Sequence, residues 1–222
     1  NDTTSYNQNV NPSGSNTSYG INFNIRSGNG SKLPVNVTLT SGPNVLHPVD
    51  LSNYCQNCGT PQWQYNPYLD TTVPKVGDSY VFNITYSDTS SETITQPVTA
   101  VLGPADVVTA LSPNLNTASP STTPTFTWTY PASPGNYTFQ FYIQQNNGGT
   151  VWQIPGNNSN SNGFTNTQIP MPAGLVYGTD PTDSTNTPAY STLTSGIIYN
   201  WSIQAKDSNG NSAQISTYFT PQ

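Results

Sequence analysis

Between Ile197 and Asn211 the chain reads IIYNWSIQAKDSNGN, and Ile197, Tyr199, Trp201, Ile203 and Ala205 fall at every second position. The residues between them, Ile198, Asn200, Ser202, Gln204 and Lys206, are polar after the first. A period of two sends one set to a buried sheet face and the other to water. The run breaks into Asp207-Ser208-Asn209-Gly210-Asn211, where Asn-Gly offers the positive φ angles of a tight hairpin. A half-buried strand feeding a hairpin follows.

The same rule recurs along the chain. Ile21, Phe23 and Ile25 alternate with Asn22, Asn24 and Arg26, and Gly28-Asn29-Gly30 turns into Val35, Val37 and Leu39. Tyr80, Phe82, Ile84 and Tyr86 form another stripe, and Ser87 to Ser90 turns into a strand beginning at Thr93. Phe126, Trp128 and Tyr130 alternate with Thr125, Thr127 and Thr129, and Tyr137, Phe139, Phe141 and Ile143 run back. Asn146-Asn147-Gly148-Gly149 turns into Val151 to Ile154, and Ala213 to Phe219 closes the pattern. Short alternating strands with turn signals at regular spacing point to β-sandwiches, and no helix is expected. The expected organisation is an N-terminal arm over 1–17, a β-sandwich over 18–103, and a second β-sandwich over 104–222. The proline-bearing link at 103–106 is short. Residues 155–192 are polar and weakly patterned, expected as loops around one or two short edge strands.

Composition then excludes function classes. Only 6% of residues are charged, against roughly a quarter in ordinary soluble domains. Asn, Thr, Ser and Gln supply the surface, which suits an exposed extracellular protein. Arg26, Lys32, Lys75 and Lys206 are the only basic side chains and the formal net charge is −6. Nucleic acid and anionic membrane surfaces, which are gripped through Lys and Arg, are therefore not expected partners. No apolar run approaches the ~18 residues of a membrane span. No basic-then-apolar leader is visible either, which fits a leader already removed or a fragment.

Cys55 and Cys58 stand in YCQNCG. A Cys-x-x-Cys pair serves as a redox dithiol, as half of a zinc site or as a small disulfide loop. The dithiol is expected at a helix start, and zinc needs about four ligands, for which His47 is the available third. The disulfide, and with it an oxidising compartment, is the favoured reading.

Chemistry-bearing groups are sparse. His47 and Asp50 lie close in HPVD, without a G-x-S-x-G nucleophile elbow, so a loop histidine is expected. Asp180 and Asp183 could be drawn as a glycosidase pair but sit in a Thr/Pro/Ser loop, where capping a turn is the simpler role. Asp180, Asp183 and Asp207 are weak calcium candidates, and DSNGNS departs from the EF-hand spacing. Phosphate-cradling and dinucleotide fingerprints are lacking, and no cofactor is expected. Tyr54, Trp63, Tyr65 and Tyr68 crowd the cysteine loop, either as core or as an aromatic platform for sugars. Tyr6 and Val10 are the apolar points of the arm, read as loosely attached or as a strand pairing with a neighbouring subunit. Asn-x-Ser/Thr sequences occur at about the frequency so Asn-, Ser- and Thr-rich a chain produces by chance. An isopeptide crosslink through Lys206 is disfavoured because that residue falls on the outward face.

PTFTWTYP, GNYTFQFYI and STLTSGIIYNWSIQAKDSNGNS, within residues 120–220, resemble a fibronectin type III-like or immunoglobulin-like module. Trp128 stands where that family keeps an early core tryptophan. Leu193, Gly196 and Tyr199 resemble its leucine-turn-tyrosine motif, with Ser195 where proline is usual. The resemblance implies a tyrosine hydroxyl bonded to backbone upstream. Tandem modules with TYSD, TPTFTW and WQIPGNNSNSNGF look like those of large secreted or surface proteins of soil bacteria, acidobacteria especially. Such modules act as spacers, adhesive units or assembly units. The expectation is a non-catalytic extracellular structural protein, a subunit of a surface filament or adhesin joined to copies of itself through sheet edges. The alternative is a carbohydrate-binding or spacer module.

Overall fold

The structure, a computed structural model, describes residues 2–11, 14–26, 33–55, 62–67, 69, 72–115, 121–146, 148–156 and 162–222; for 2–11, 14 and 26 it describes the strand but not the side chain. The described chain is all-β, built from antiparallel sheets and two single-turn 3-10 segments. It separates into two compact units, Asn1–Ser5 with Ser18–Val101 and Tyr6–Thr17 with Leu102–Gln222.

The first unit opposes two layers. One pairs β2 (Gly14–Arg26) with β5 (Gln62–Tyr65). The other is four-stranded, ordered β4 (Val49–Asp50), β3 (Pro34–Ser41), β6 (Ser79–Tyr86), β7 (Ser91–Pro97). Phe23 of β2 meets Tyr80 and Phe82 of β6 edge to face, ring centroids 4.7 and 5.2 Å apart. Such pairs stabilise by about 0.5–1.5 kcal/mol beyond the area they bury. Val37, Leu39, Tyr80, Phe82 and Ile84 are buried as the alternation requires. Val35 is not: it is 57% exposed. The β3–β6 register shifts between Pro34 and Asn36. That bulge turns Pro34 inward and Val35 outward, because one extra residue reverses which face the next side chain takes. The hairpin from β6 to β7 turns at Thr89, whose φ is 68°.

In the second unit, β8 (Thr109–Ser112), β9 (Thr125–Thr129) and β12 (Leu175–Val176) form a sheet ordered β12-β9-β8. The larger sheet runs β11 (Thr150–Ile154), β10 (Thr138–Gln145), β13 (Tyr199–Lys206), β14 (Ser212–Phe219), and then β1 (Asp2–Asn11) and the start of β2. Phe126 of β9 lies 5.0, 5.1 and 5.8 Å from the rings of Phe141, Trp201 and Phe219. The Trp201 indole donates to the Pro113 carbonyl at 2.7 Å, satisfying the one polar atom of a fully buried side chain. The arm expected to hang free is thus a strand within its own chain's sheet.

The β13–β14 turn is not the two-residue hairpin that Asn-Gly suggests. Only Gly210 takes a positive φ, 89°. Asp207 organises the rest, its carboxylate accepting the N–H groups of Asn209 and Asn211 at 2.8 and 2.9 Å. At the β12–β13 link, Leu193 is buried, Gly196 has φ 77°, and Tyr199 Oη accepts the Thr194 N–H at 3.0 Å.

Residues 162–192 are far more ordered than their composition suggests. Phe164, Ile169, Leu175 and Tyr177 are buried. Phe164 exchanges both backbone hydrogen bonds with Phe139, at 2.7 and 2.8 Å, carrying on the pairing of β10 beyond the end of β11.

Candidate functional site: an open apolar groove in the first unit

In an antiparallel ladder, directly opposed residues share a face. The β6–β7 register sets Phe82 opposite Ile94, Ile84 opposite Glu92 and Tyr80 opposite Gln96. Since Tyr80, Phe82 and Ile84 point into the core, the core-facing residues of β7 are Glu92, Ile94 and Gln96. Yet Ile94 is 41% exposed. The layer across from β6 and β7 consists, among the described residues, of β2 and β5 alone. A groove of about 200 Å³ remains, lined by Phe23, Asn24, Ile25, Phe82, Ile84, Ile94 and Gln96. Among the described residues β7 is also the last strand of its sheet, so its outer flank carries no ladder partner. Sequence patterning passed over this site: Ile94 stands alone among polar neighbours in SETITQP, and only its opposition to Phe82 reveals which face it takes.

The expected site residues distribute differently. Trp63, placed in the aromatic platform, is 3% exposed and belongs to the core. It alternates with Gln62 and Gln64 in β5, and the pleat turns it inward. Tyr54 is exposed and meets half-buried Tyr65 edge to face at 4.9 Å. Burial, and secondarily Tyr54, pushes the Tyr65 hydroxyl pKa up. Tyr68 and Cys58 lie outside the described residues, as do the Gly28-Asn29-Gly30 turn, Asn147 and the side chains of Tyr6 and Val10. Cys55 forms an antiparallel bridge with Trp63 at the base of its loop.

The aspartates have a shared task. Asp50, Asp78, Asp88, Asp106, Asp180, Asp183 and Asp207 each accept a backbone N–H from within four residues. These short side chains reproduce a turn's hydrogen bond and hold it shut. The calcium candidates Asp180, Asp183 and Asp207 all make such bonds. Asp183 takes the Thr185 N–H and Oγ1 at 2.9 and 2.7 Å, which hold its carboxyl below the usual carboxylate range. Asp207 adds the Asn211 amide at 2.8 Å. Asp180 is 6% exposed and accepts from Thr182 N, Thr182 Oγ1, Asp183 N and Asn186 Nδ2. Among the described residues no three His, Cys, Asp or Glu side chains gather as metal ligands. His47 is exposed, its Nδ1 3.1 Å from the Val45 carbonyl oxygen, while Asp50 caps Ser52.

A second concavity, about 660 Å³, lies in the second unit between the β9–β10 link, the β13–β14 turn and residues 162–165. Its lining includes Asn136, Tyr137, Gln140, Lys206 and Asp207. Tyr137 Oη donates to Asp106 at 2.6 Å; that bond, followed by burial, pushes its pKa up to about 12.

No protein-family model matches the chain, and no curated protein matches it. Among the described residues no helix is long and apolar enough to cross a membrane.

Proposed function

We propose that the chain is a non-catalytic, extracellular structural protein, a subunit of a surface filament or adhesin that joins copies of itself by adding a β-strand to an open sheet. The uncovered Ile94, on the core-facing side of β7, carries this reading. A groove of about 200 Å³ is smaller than the ~300–1,000 Å³ typical of small-molecule sites. It suits the alternate side chains of an added strand, whose backbone would pair along the outer flank of β7. The proposed occupant is the arm of a second copy, with Tyr6 and Val10 pointing inward. That segment is already extended as β1, and Asp2 is its only charge, so little desolvation opposes its insertion. No lysine or arginine stands in β7 to block pairing, as edge charges commonly do. The arm would leave its place between β14 and β2 of its own chain, and its donation to the next copy, repeated head to tail, builds an open chain.

The tandem fibronectin type III-like or immunoglobulin-like kinship belongs to the same reading. It is supported by the Tyr199–Thr194 bond and by the division of the second unit into β12-β9-β8 and the larger sheet. A Cys55–Cys58 disulfide would close the loop that leads to β5. Electron microscopy of the purified chain should reveal fibres that thin out or vanish in Ile94→Lys. Particles that stay monomeric at every concentration would refute it.

A carbohydrate-binding module is the second reading, favoured by the polar cleft of about 660 Å³. Binding on a glycan array that is lost in Gln140→Ala and kept in Ile94→Lys would select it.

A further inference from the structure

The outer flank of β11 would be a second place for strand addition, since β11 ends the larger sheet of its unit. It is already occupied. Val151 and Gln153 stand two apart and present their carbonyls to the same side. The Val151 carbonyl accepts the Ala189 N–H at 2.8 Å, and the Gln153 carbonyl accepts Asn186 Nδ2 at 2.7 Å. Asn186 is itself fixed. The same amide nitrogen donates to Asp180 Oδ2 at 2.7 Å. Its side chain also presses on Gly156, where an added Cβ would lie 2.9 Å from the Asn186 Cγ. Asp180, buried and accepting three further bonds, anchors that end. Tyr177 Oη donates to the Tyr190 carbonyl at 2.8 Å and fastens the other.

We infer that residues 180–190 are an edge guard: a strap, pinned by the Asp180–Asn186 relay, that consumes the outward carbonyls of β11 and so prevents copies of the chain from pairing there. Apolar packing does not account for this segment: Phe164, Ile169, Leu175 and Tyr177 are buried before the strap begins, whereas within residues 180–190 only Asp180 is, and the strap spends its polar groups on a sheet edge. Proteins commonly cover such an edge because bare carbonyls and N–H groups recruit further strands. The inference rests on the assembly reading for its purpose: the β11 edge is closed so that strand addition does not take place there.

The experiment compares Ile94→Lys with Ile94→Lys/Asn186→Leu by sedimentation velocity over a concentration series. Asn186→Leu keeps the side chain's size and removes both amide bonds. The Ile94→Lys chain should stay monomeric. The double variant should associate at or below a tenth of the highest concentration at which Ile94→Lys is still monomeric, at least a tenfold change in equilibrium constant. A folded double variant that stays monomeric throughout overturns the guard. If Ile94→Lys itself still assembles, the assembly reading fails at its proposed face, and the double variant's added association still judges the guard. Hydrogen exchange on the unmodified chain supplies an independent test, whether or not the variant folds. The Ala189 amide should be protected as a strand amide is, and free exchange there overturns the inference.

Discussion

The two units follow one rule of alternation and end their sheets in opposite ways. In the first, β7 finishes the sheet with Ile94 on its core-facing side and still 41% exposed. In the second, β11 finishes the sheet with its outward carbonyls bonded to Asn186 and Ala189. Burial differs in parallel. Trp201 is enclosed by Phe126, Phe141 and Trp128, whereas Ile94 lines an open groove. Period-two patterning determines which residues face inward; whether anything lies across from them depends on the opposite layer. An inward side chain without a cover marks where a further strand would fit.

The largest expected effect breaks the closed side. Trp201→Ala removes a fully buried indole and its bond to Pro113, and should cost about 3–5 kcal/mol, read as a lower urea midpoint for the second unit. Tyr199→Phe is gentler. It leaves the Thr194 N–H without its acceptor and should cost about 1 kcal/mol, with the fold kept by circular dichroism. On the open side, Ile94→Lys should change the stability of the separate chain by less than ~0.5 kcal/mol. Its counterpart Phe82→Ala, directly opposite in the ladder, should cost about 3 kcal/mol or more. Equal costs for these two would mean that β7 is covered after all.

Alkali should separate the units by a smaller margin. Burial first, and then Tyr199 and Tyr190, push the Tyr177 pKa up to about 12, beside Tyr137 at about 12. A tyrosine whose folded pKa lies above its unfolded value of 10.0 contributes stability that is complete below pH 10 and lost as pH rises toward about 12. Thermal melts between those pH values should show the second unit weakening first. Asp183→Asn gives the smallest change. Its carboxyl is fully exposed with a lowered pKa, so the stability it contributes is present above its unfolded pKa and fades as pH falls through the folded one.

Much of this was legible in the sequence. The stripes of Phe23, Phe82, Phe126, Phe141 and Trp201 declared their buried faces, because an alternating strand fixes its own orientation. The Tyr199 corner was implied by the resemblance, and the Thr194–Tyr199 bond stands at that corner. What escaped depends on partners distant in sequence. Val35 alternates correctly and is reversed by a bulge set by its pairing with β6. Trp63 is open to either reading, core or platform, until β5 is laid beside β2. Ile94 looks incidental until Phe82 is seen opposite. Residues 162–192 hide four core side chains among polar ones at irregular intervals, since a strap turns toward the core wherever it crosses it. The turn-capping role expected of Asp180 and Asp183, by contrast, is local, and both carboxylates accept an N–H two residues on.

Oxidative trapping between copies tests the central claim most directly. One chain carries Ile94→Cys, the other Tyr6→Cys, and the two are mixed without reductant. A cross-linked dimer of one of each should form in the mixture, beyond whatever either variant forms alone. A mixture that yields no more dimer than its separate components, at concentrations where the chain assembles, would contradict it.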